Sequence, residues 1–224
     1  MCVIYNSIHG NHPTAKQLKM MFNSNPHGAG FAIREGKKWQ ILKGLMTIKE
    51  LKTIYPKLKS ADEVIGHFRL ATHGAINELN CNPFALSNIY TEAQECQDAQ
   101  DGVLFHNGIL NTFGHEHLSD TLDFTVSVLS KLSEADRVAL LNIISGKFIY
   151  LDSMGEVHTV GLEHHTNGFL VSNSYWDYSS SWNEDVFYPK QGKVIYRPEP
   201  VDYELQEQDD HLASMTENYM RGKK

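Results

Sequence analysis

The chain predicts an α+β fold, layered, with helices over mostly antiparallel sheet. Short runs rich in β-branched and aromatic residues alternate with helical patterns, and no segment repeats. Met154-Gly155 closes one pair of strand-like runs as a hairpin, and Glu35-Gly36-Lys37 turns another. At 224 residues and 41% hydrophobic, the chain can bury one large core.

The strand-like runs are, in order, Cys2 to Tyr5, Gly30 to Arg34, Trp39 to Leu42, Val64 to Leu70 and Val103 to His106. Lys147 to Asp152, Glu156 to Val160, Gly168 to Ser172 and Lys193 to Tyr196 follow. One helix is expected after Pro13, a residue suited to a first helical position. A second follows Thr47, because Thr47-Ile48-Lys49-Glu50 has the form of a capping box. Apolar residues at Leu122, Phe124, Val126, Val128 and Leu129 mark a third over Leu118 to Leu132, and Ser133 with Asp136 opens a fourth toward Ile144. One domain is expected over residues 2–200. The polar, weakly amphipathic stretch from Val201 to Met220 reads as a surface helix or extension within 201–224.

Composition narrows the partners. The net charge is -7, and the only clustered basic stretch is Arg221-Gly222-Lys223-Lys224, so nucleic acid is not an expected partner. No apolar run approaches the roughly 18 residues of a membrane helix, and the start lacks the basic and apolar regions of a signal peptide. The expected location is cytoplasmic. Cys2, Cys81 and Cys96 are widely spaced and odd in number, which suggests neither a disulfide framework nor a CxxC metal site. Cys81 and Cys96 read as small, partly buried hydrophobes.

Cys2 is different. Once Met1 is removed, one residue carries a thiol and a free α-amine, which makes it nucleophile and base together. A free α-amine titrates at about 7.7–8.0 and a cysteine at about 8.5, so proton transfer between them is nearly balanced near neutral pH.

Three further stretches have the form of a site. In Gly66-His67-Phe68-Arg69-Leu70-Ala71-Thr72-His73-Gly74 a strand ends on an arginine. Arg69 can grip a carboxylate through two parallel bonds, with Thr72 and backbone amides completing the pocket, or it can be an exposed salt-bridging residue. Asn107-Gly108 in Phe105-His106-Asn107-Gly108-Ile109-Leu110 is a turn signal, since both residues tolerate positive φ, or a pair of donors forming an oxyanion hole. Ser119-Asp120-Thr121 opens a helix, and Asp120 is either a cap or a fixed carboxylate for an ammonium group. His115-Glu116-His117 and His164-His165 lack a second ligand pair at useful spacing, so no metal is assigned. Asn25 to Gly30 is glycine-rich without a phosphate-loop pattern; a close backbone approach near the site is expected. No cofactor is expected.

These motifs, with Asn25-Pro26-His27-Gly28-Ala29-Gly30-Phe31 and NCNPF at Asn80 to Phe84, resemble in kind and order the class II glutamine amidotransferase (glutaminase) domain of the N-terminal-nucleophile hydrolases. The resemblance is firm from Cys2 to about Asp123, and looser through SGKFIYLD and GFLVSNS. It implies a four-layer αββα sandwich with two antiparallel sheets face to face. It also implies roles: Cys2 as nucleophile, Asn107 and Gly108 as oxyanion donors, Arg69 with Thr72 and His73 on the substrate α-carboxylate, and Asp120 on its α-ammonium, with Asp123 as the alternative.

The implied substrate is glutamine or a related small amide. Leu70 stands where family members that pass ammonia to a synthase often carry an aromatic residue. A stand-alone form is therefore expected, with any ammonia-accepting synthetase or ligase encoded separately. Two other readings stay open: hydrolysis of another γ-glutamyl-type amide, and a non-catalytic binding or regulatory protein on the same fold. The Arg69, Asp120 and Asn107 side chains are expected to face the site rather than the core, so that replacing them changes stability little.

Overall fold

Side-chain alternation in the strands sets the architecture. The computed structural model describes residues 1–165 and 167–177. In β1 (Val3–Ile8), Val3 and Tyr5 turn to one face and Ile4 to the other, and all three are buried. A strand apolar on both faces must be covered on both sides. Helix α1 (Ala15–Ser24) starts from the Thr14 N-cap with a Thr14/Gln17 capping box, and α2 (Ile48–Ser60) from the expected Thr47/Glu50 box. Pro13 thus precedes the cap instead of opening the helix. It is the Thr14 side chain that satisfies a first-turn N–H.

Strands β2 (Ala29–Glu35), β3 (Lys38–Leu45) and β4 (Glu63–Phe68) join β1 with β9 (Glu163–His164) and β10 (Leu170–Val171) in a six-stranded sheet of order β3-β2-β4-β1-β10-β9. The second sheet, of order β5-β6-β7-β8, contains β5 (Phe84–Ala85), β6 (Val103–Asn107), β7 (Lys147–Leu151) and β8 (Val157–Val160). Within both sheets every pairing between these strands is antiparallel.

Three apolar layers hold four structural ones together. Val3, Tyr5, Phe31, Val64 and Phe68 pack against Leu18, Met21, Leu51 and Leu58 of α1 and α2. On the opposite face Ile4, Ala32 and Ile65 meet Val103, Phe105, Ile149 and Leu151 of the second sheet. The outer face of that sheet, Leu104, Phe148 and Tyr150, packs on Phe124 of α4 (Asp120–Ser127), Leu129 and Leu141 of α5 (Glu134–Ile143). The fold is therefore α+β, in the expected order helix, sheet, sheet, helix.

Differences from the expected elements are local. The helix expected over Leu118 to Leu132 is broken: α4 ends at Ser127, Val128 leaves helical geometry at φ -123°, ψ -64°, and a 3-10 turn at Leu129–Lys131 returns Leu129 to the core. Strands β5 and β9 and the short helix α3 (Tyr90–Gln94) were not foreseen. The strand expected at Lys193 to Tyr196, the C-terminal helix or extension and the domain boundary at residue 200 lie outside the described residues. No helix among the described residues is long and apolar enough to cross a membrane.

Candidate active site

Strand register brings the site together. Val3 pairs with Phe68, and Ala29 also pairs with Phe68, so Cys2, Gly28 and Arg69 gather at one end of the sheet. There the Leu70 N–H points at Cys2 Sγ (3.3 Å), and Sγ lies 3.5 Å from the Leu70 carbonyl. Asn173 Nδ2 donates to the Cys2 carbonyl at 2.8 Å, while the Ile4 N–H donates to Ser172 Oγ at 2.9 Å. Residues some 170 positions away in sequence thus fix the start of β1. Burial raises the Cys2 thiol pKa; the Leu70 N–H, the charged amino terminus and Arg69 pull it down, and Asp120 pushes it up.

Arg69 is 3% exposed, which rules out the surface salt-bridge alternative, and it makes no ion pair among the described residues. Its Nη1 donates to the Ala75 carbonyl at 2.8 Å, and Nη2 to those of His73 and Gly74 at 2.8 and 3.3 Å. The guanidinium is thus the hub of the 73–75 loop, and its Nε–H has no hydrogen-bond partner among the described residues. Burial lowers its pKa, opposed by Cys81, Cys2 and Asp120. His27 and Gly28 close in from the glycine-rich loop: the Arg69 N–H donates to the Gly28 carbonyl (2.8 Å) and the Ala71 N–H to His27 Nδ1 (2.9 Å).

A second loop covers the first. The Gly74 N–H donates to the His115 carbonyl, and Asn80 Nδ2 donates to the carbonyls of Ala75 and His117. Gly74 has φ +74°, and a Cβ there would stand 2.6 Å from the Ser119 nitrogen. Only glycine lets the two loops touch.

At the Asn107-Gly108 pair, neither residue has positive φ, so the left-handed conformation that both tolerate is not used. Glycine is required for space: a Cβ at 108 would lie 2.6 Å from His106 Nε2. Asn107 is buried, with Nδ2 on Ser172 Oγ at 2.9 Å and Oδ1 without a partner. With the amide turned over, Ser172 donates to Oδ1, and Nδ2 takes the unpartnered place as a free donor.

Asp120 is the first residue of α4, after a Ser119 N-cap that makes no side-chain cap bond. It does more than begin a helix. Its Oδ1 accepts from the Thr121 N–H (2.7 Å) and Oγ1 (3.3 Å), and Oδ2 accepts from the Leu110 N–H (2.9 Å). Asp123 is committed elsewhere, accepting from Tyr90, Ser127 and the Gly114 N–H.

Cys2, Arg69, Leu70, Thr72, His73, Gly108 and Asp120 all line one cavity of about 20 Å³, together with Asn82, His106 and Thr121. Of the sequence-derived candidates, Asn107, one residue from Gly108, and the alternative Asp123 are outside the lining. Sequence reading missed His106, Thr121 and Asn82, although all three lie inside quoted motifs. A larger cavity, about 620 Å³, is lined by Asn6, Arg34, Trp39 and Glu63 near the far end of β1, and no cysteine or histidine reaches it. Among the described residues the one metal-type cluster is Glu134, Asp152 and His158, where Asp152 already pairs with His158 at 2.9 Å and Glu134 with Arg137 at 3.1 Å.

Two buried imidazoles near the site carry a pH consequence. Burial holds His106 at about 4 and His67 at about 3, below the ordinary 6.5, with Arg69 adding to the His67 shift and Asp120 opposing that of His106. Both are neutral when folded, whereas the unfolded chain protonates them below about 6.5. Stability should therefore be full above that pH and fall as pH drops toward 4, by up to about 1.4 kcal/mol per unit for each ring. Urea midpoints at neutral and mildly acidic pH, with an NMR titration of both rings, check this. Protonation of either ring near pH 6 in the folded protein would contradict it.

No family model matches the chain, and no curated protein matches it. Among solved structures the chain is similar to the glutamine phosphoribosylpyrophosphate (PRPP) amidotransferase from B. subtilis complexed with ADP and GMP, at a TM-score of 0.48 and 16% identity. That likeness covers 79% of this chain and 42% of the other, so this chain spans less than half of that protein's length.

Proposed function

We propose that the protein is a glutamine amidohydrolase whose nucleophile is Cys2, exposed as the N-terminal residue when Met1 is removed. The observation that carries this reading is the convergence of a half-buried thiol, a buried guanidinium, a glycine amide and a buried carboxylate on one cavity. The α-amine of Cys2 takes the thiol proton, and the thiolate attacks the side-chain amide carbon of glutamine. Gly108 N–H and Asn107 Nδ2, in its turned-over orientation, hold the developing oxyanion; losing one such donor typically costs on the order of 10²–10³ in rate. The protonated amine returns its proton to the leaving nitrogen, ammonia departs, and water hydrolyses the γ-glutamyl thioester to glutamate.

Arg69 and Asp120 read the two charged ends of a free amino acid, with Thr72 and His73 beside the carboxylate. A cavity of about 20 Å³ has room for roughly one water. Glutamine binding therefore requires the 72–80 and 113–119 loops to part, breaking contacts such as Gly74 to His115.

Hydrolysis of a γ-glutamyl conjugate uses the same charged end, and delivery of ammonia to a separately encoded synthetase uses the same thioester. Ammonia and glutamate release measured on a panel of amides, with Met1-free protein, tests the proposal. Turnover of glutamine supports it, turnover confined to γ-glutamyl conjugates replaces the substrate, and no turnover of any amide leaves a non-catalytic fold.

A further inference from the structure

Next to Gly108 lies a buried imidazole that the reaction just described does not use. His106, the fourth residue of β6, is 2% exposed and stacks on Phe148 with ring centroids 4.6 Å apart and planes at 14°. Its Nδ1 is 3.0 Å from Thr121 Oγ1, and that hydroxyl donates to Asp120 Oδ1 at 3.3 Å. Nε2 is buried without a partner, and it is the atom that a Cβ on Gly108 would meet at 2.6 Å and one on Gly146 at 2.9 Å.

One arrangement of protons makes both the His106–Thr121 and the Thr121–Asp120 contacts hydrogen bonds. The carboxylate of Asp120 only accepts, and the Thr121 hydroxyl has one proton to give. With that proton on Asp120, Oγ1 accepts from His106, so Nδ1 carries hydrogen and Nε2 keeps a bare lone pair against Gly108. The other oxygen of the same carboxylate accepts the Leu110 N–H at 2.9 Å. Asp120 therefore holds the Gly108–Leu110 turn at both ends, directly at Leu110 and through two side chains at Gly108.

We propose that Asp120, Thr121 and His106 form a positioning relay that ties the carboxylate reading the substrate's ammonium to the backbone donor of the oxyanion site. The relay rests on the glutaminase reading for its catalytic purpose. Thr121 and His106 are positioning residues: the hydroxyl fixes the imidazole's tautomer and ring orientation, and the ring sets the place of Gly108. An oxyanion donor acts only when aimed at the point where charge develops, and a displacement of about 1 Å can cost about 10²-fold in rate. The space for the ring is what the glycine at 108 provides.

The test uses Met1-free protein with Thr121→Val, which removes the hydroxyl at nearly constant volume, and Thr121→Ser, which restores it. Thr121→Val should lower kcat by about 10²-fold while KM stays nearly constant, and Thr121→Ser should recover most of the loss. Long-range nitrogen–proton NMR of wild type should find His106 protonated at Nδ1, and Thr121→Val should shift that preference toward Nε2.

A wild-type His106 protonated at Nε2 would overturn the relay. So would wild-type kcat in Thr121→Val, or a loss that follows only the melting temperature and is not recovered by Thr121→Ser. Absence of amide hydrolysis by Met1-free wild type sinks the glutaminase reading instead, and the tautomer measurement then decides the relay alone.

Discussion

Chains that keep Met1 should release no measurable ammonia from glutamine, and removing that one residue should switch the activity on. In the retained form the only α-amine belongs to Met1, one residue away from the thiol it must deprotonate. The Cys2 thiol is itself held above its ordinary pKa by burial, against the pull of the Leu70 N–H, the charged amino terminus and Arg69. Little thiolate forms at neutral pH without a base beside it. General-base assistance is worth on the order of 10²–10⁴ in rate, so its displacement alone removes nearly all of the turnover. Met1 is 68% exposed and open to an aminopeptidase. Ammonia release before and after trimming, with intact mass measured on the same samples, is the check; full activity in wholly untrimmed protein would contradict the mechanism.

Arg69→Ala should damage both substrate capture and the fold. The guanidinium serves three loop carbonyls, and in the proposed site it is the cationic side chain that lines the cavity. Hydrogen bonds to a charged group are worth about 1.5–3 kcal/mol each and do not add simply, so a stability loss of roughly 2–5 kcal/mol is expected. The same removal should raise KM for glutamine by a similar free energy, far more than it lowers kcat. Arg69→Lys keeps the charge without the planar fork, so it should recover part of the capture and little of the loop order. Melting curves beside steady-state kinetics separate the two losses. A variant with wild-type KM would remove Arg69 from the substrate site and leave it a loop anchor.

The expected loss of stability departs from the sequence expectation that replacing Arg69, Asn107 and Asp120 changes stability little. All three are buried, and each is bonded to a loop or to a strand extension. The motifs were legible because each lies at the end of a strand or the start of a helix, where local pattern is strong. Their supports were not. Asn173 reaches Cys2 across 171 positions and Ser172 reaches Asn107 across 65, and no local rule foresees such pairs.

Layer order was legible through the family resemblance, and β1, β4 and β6 agree with it because each is buried on both faces. The break at Val128 and the two-residue β5 were not, since a helical stripe through Leu122, Val126 and Leu129 reads the same whether the helix continues or turns. At Asn107-Gly108 the local pattern left two readings open. The pair has the chemistry of a tight turn, and only the His106 ring shows that the missing Cβ matters for room.

The central claim is that Cys2 carries the acyl group. Met1-free protein mixed with glutamine and quenched in acid during turnover, then digested and mapped by mass, tests it most directly. A γ-glutamyl adduct should appear on the peptide beginning at Cys2, absent from those holding Cys81 and Cys96, and it should vanish in Cys2→Ala together with ammonia release. Steady ammonia release by Cys2→Ala, or an adduct on Cys81 or Cys96 in place of Cys2, would contradict the account.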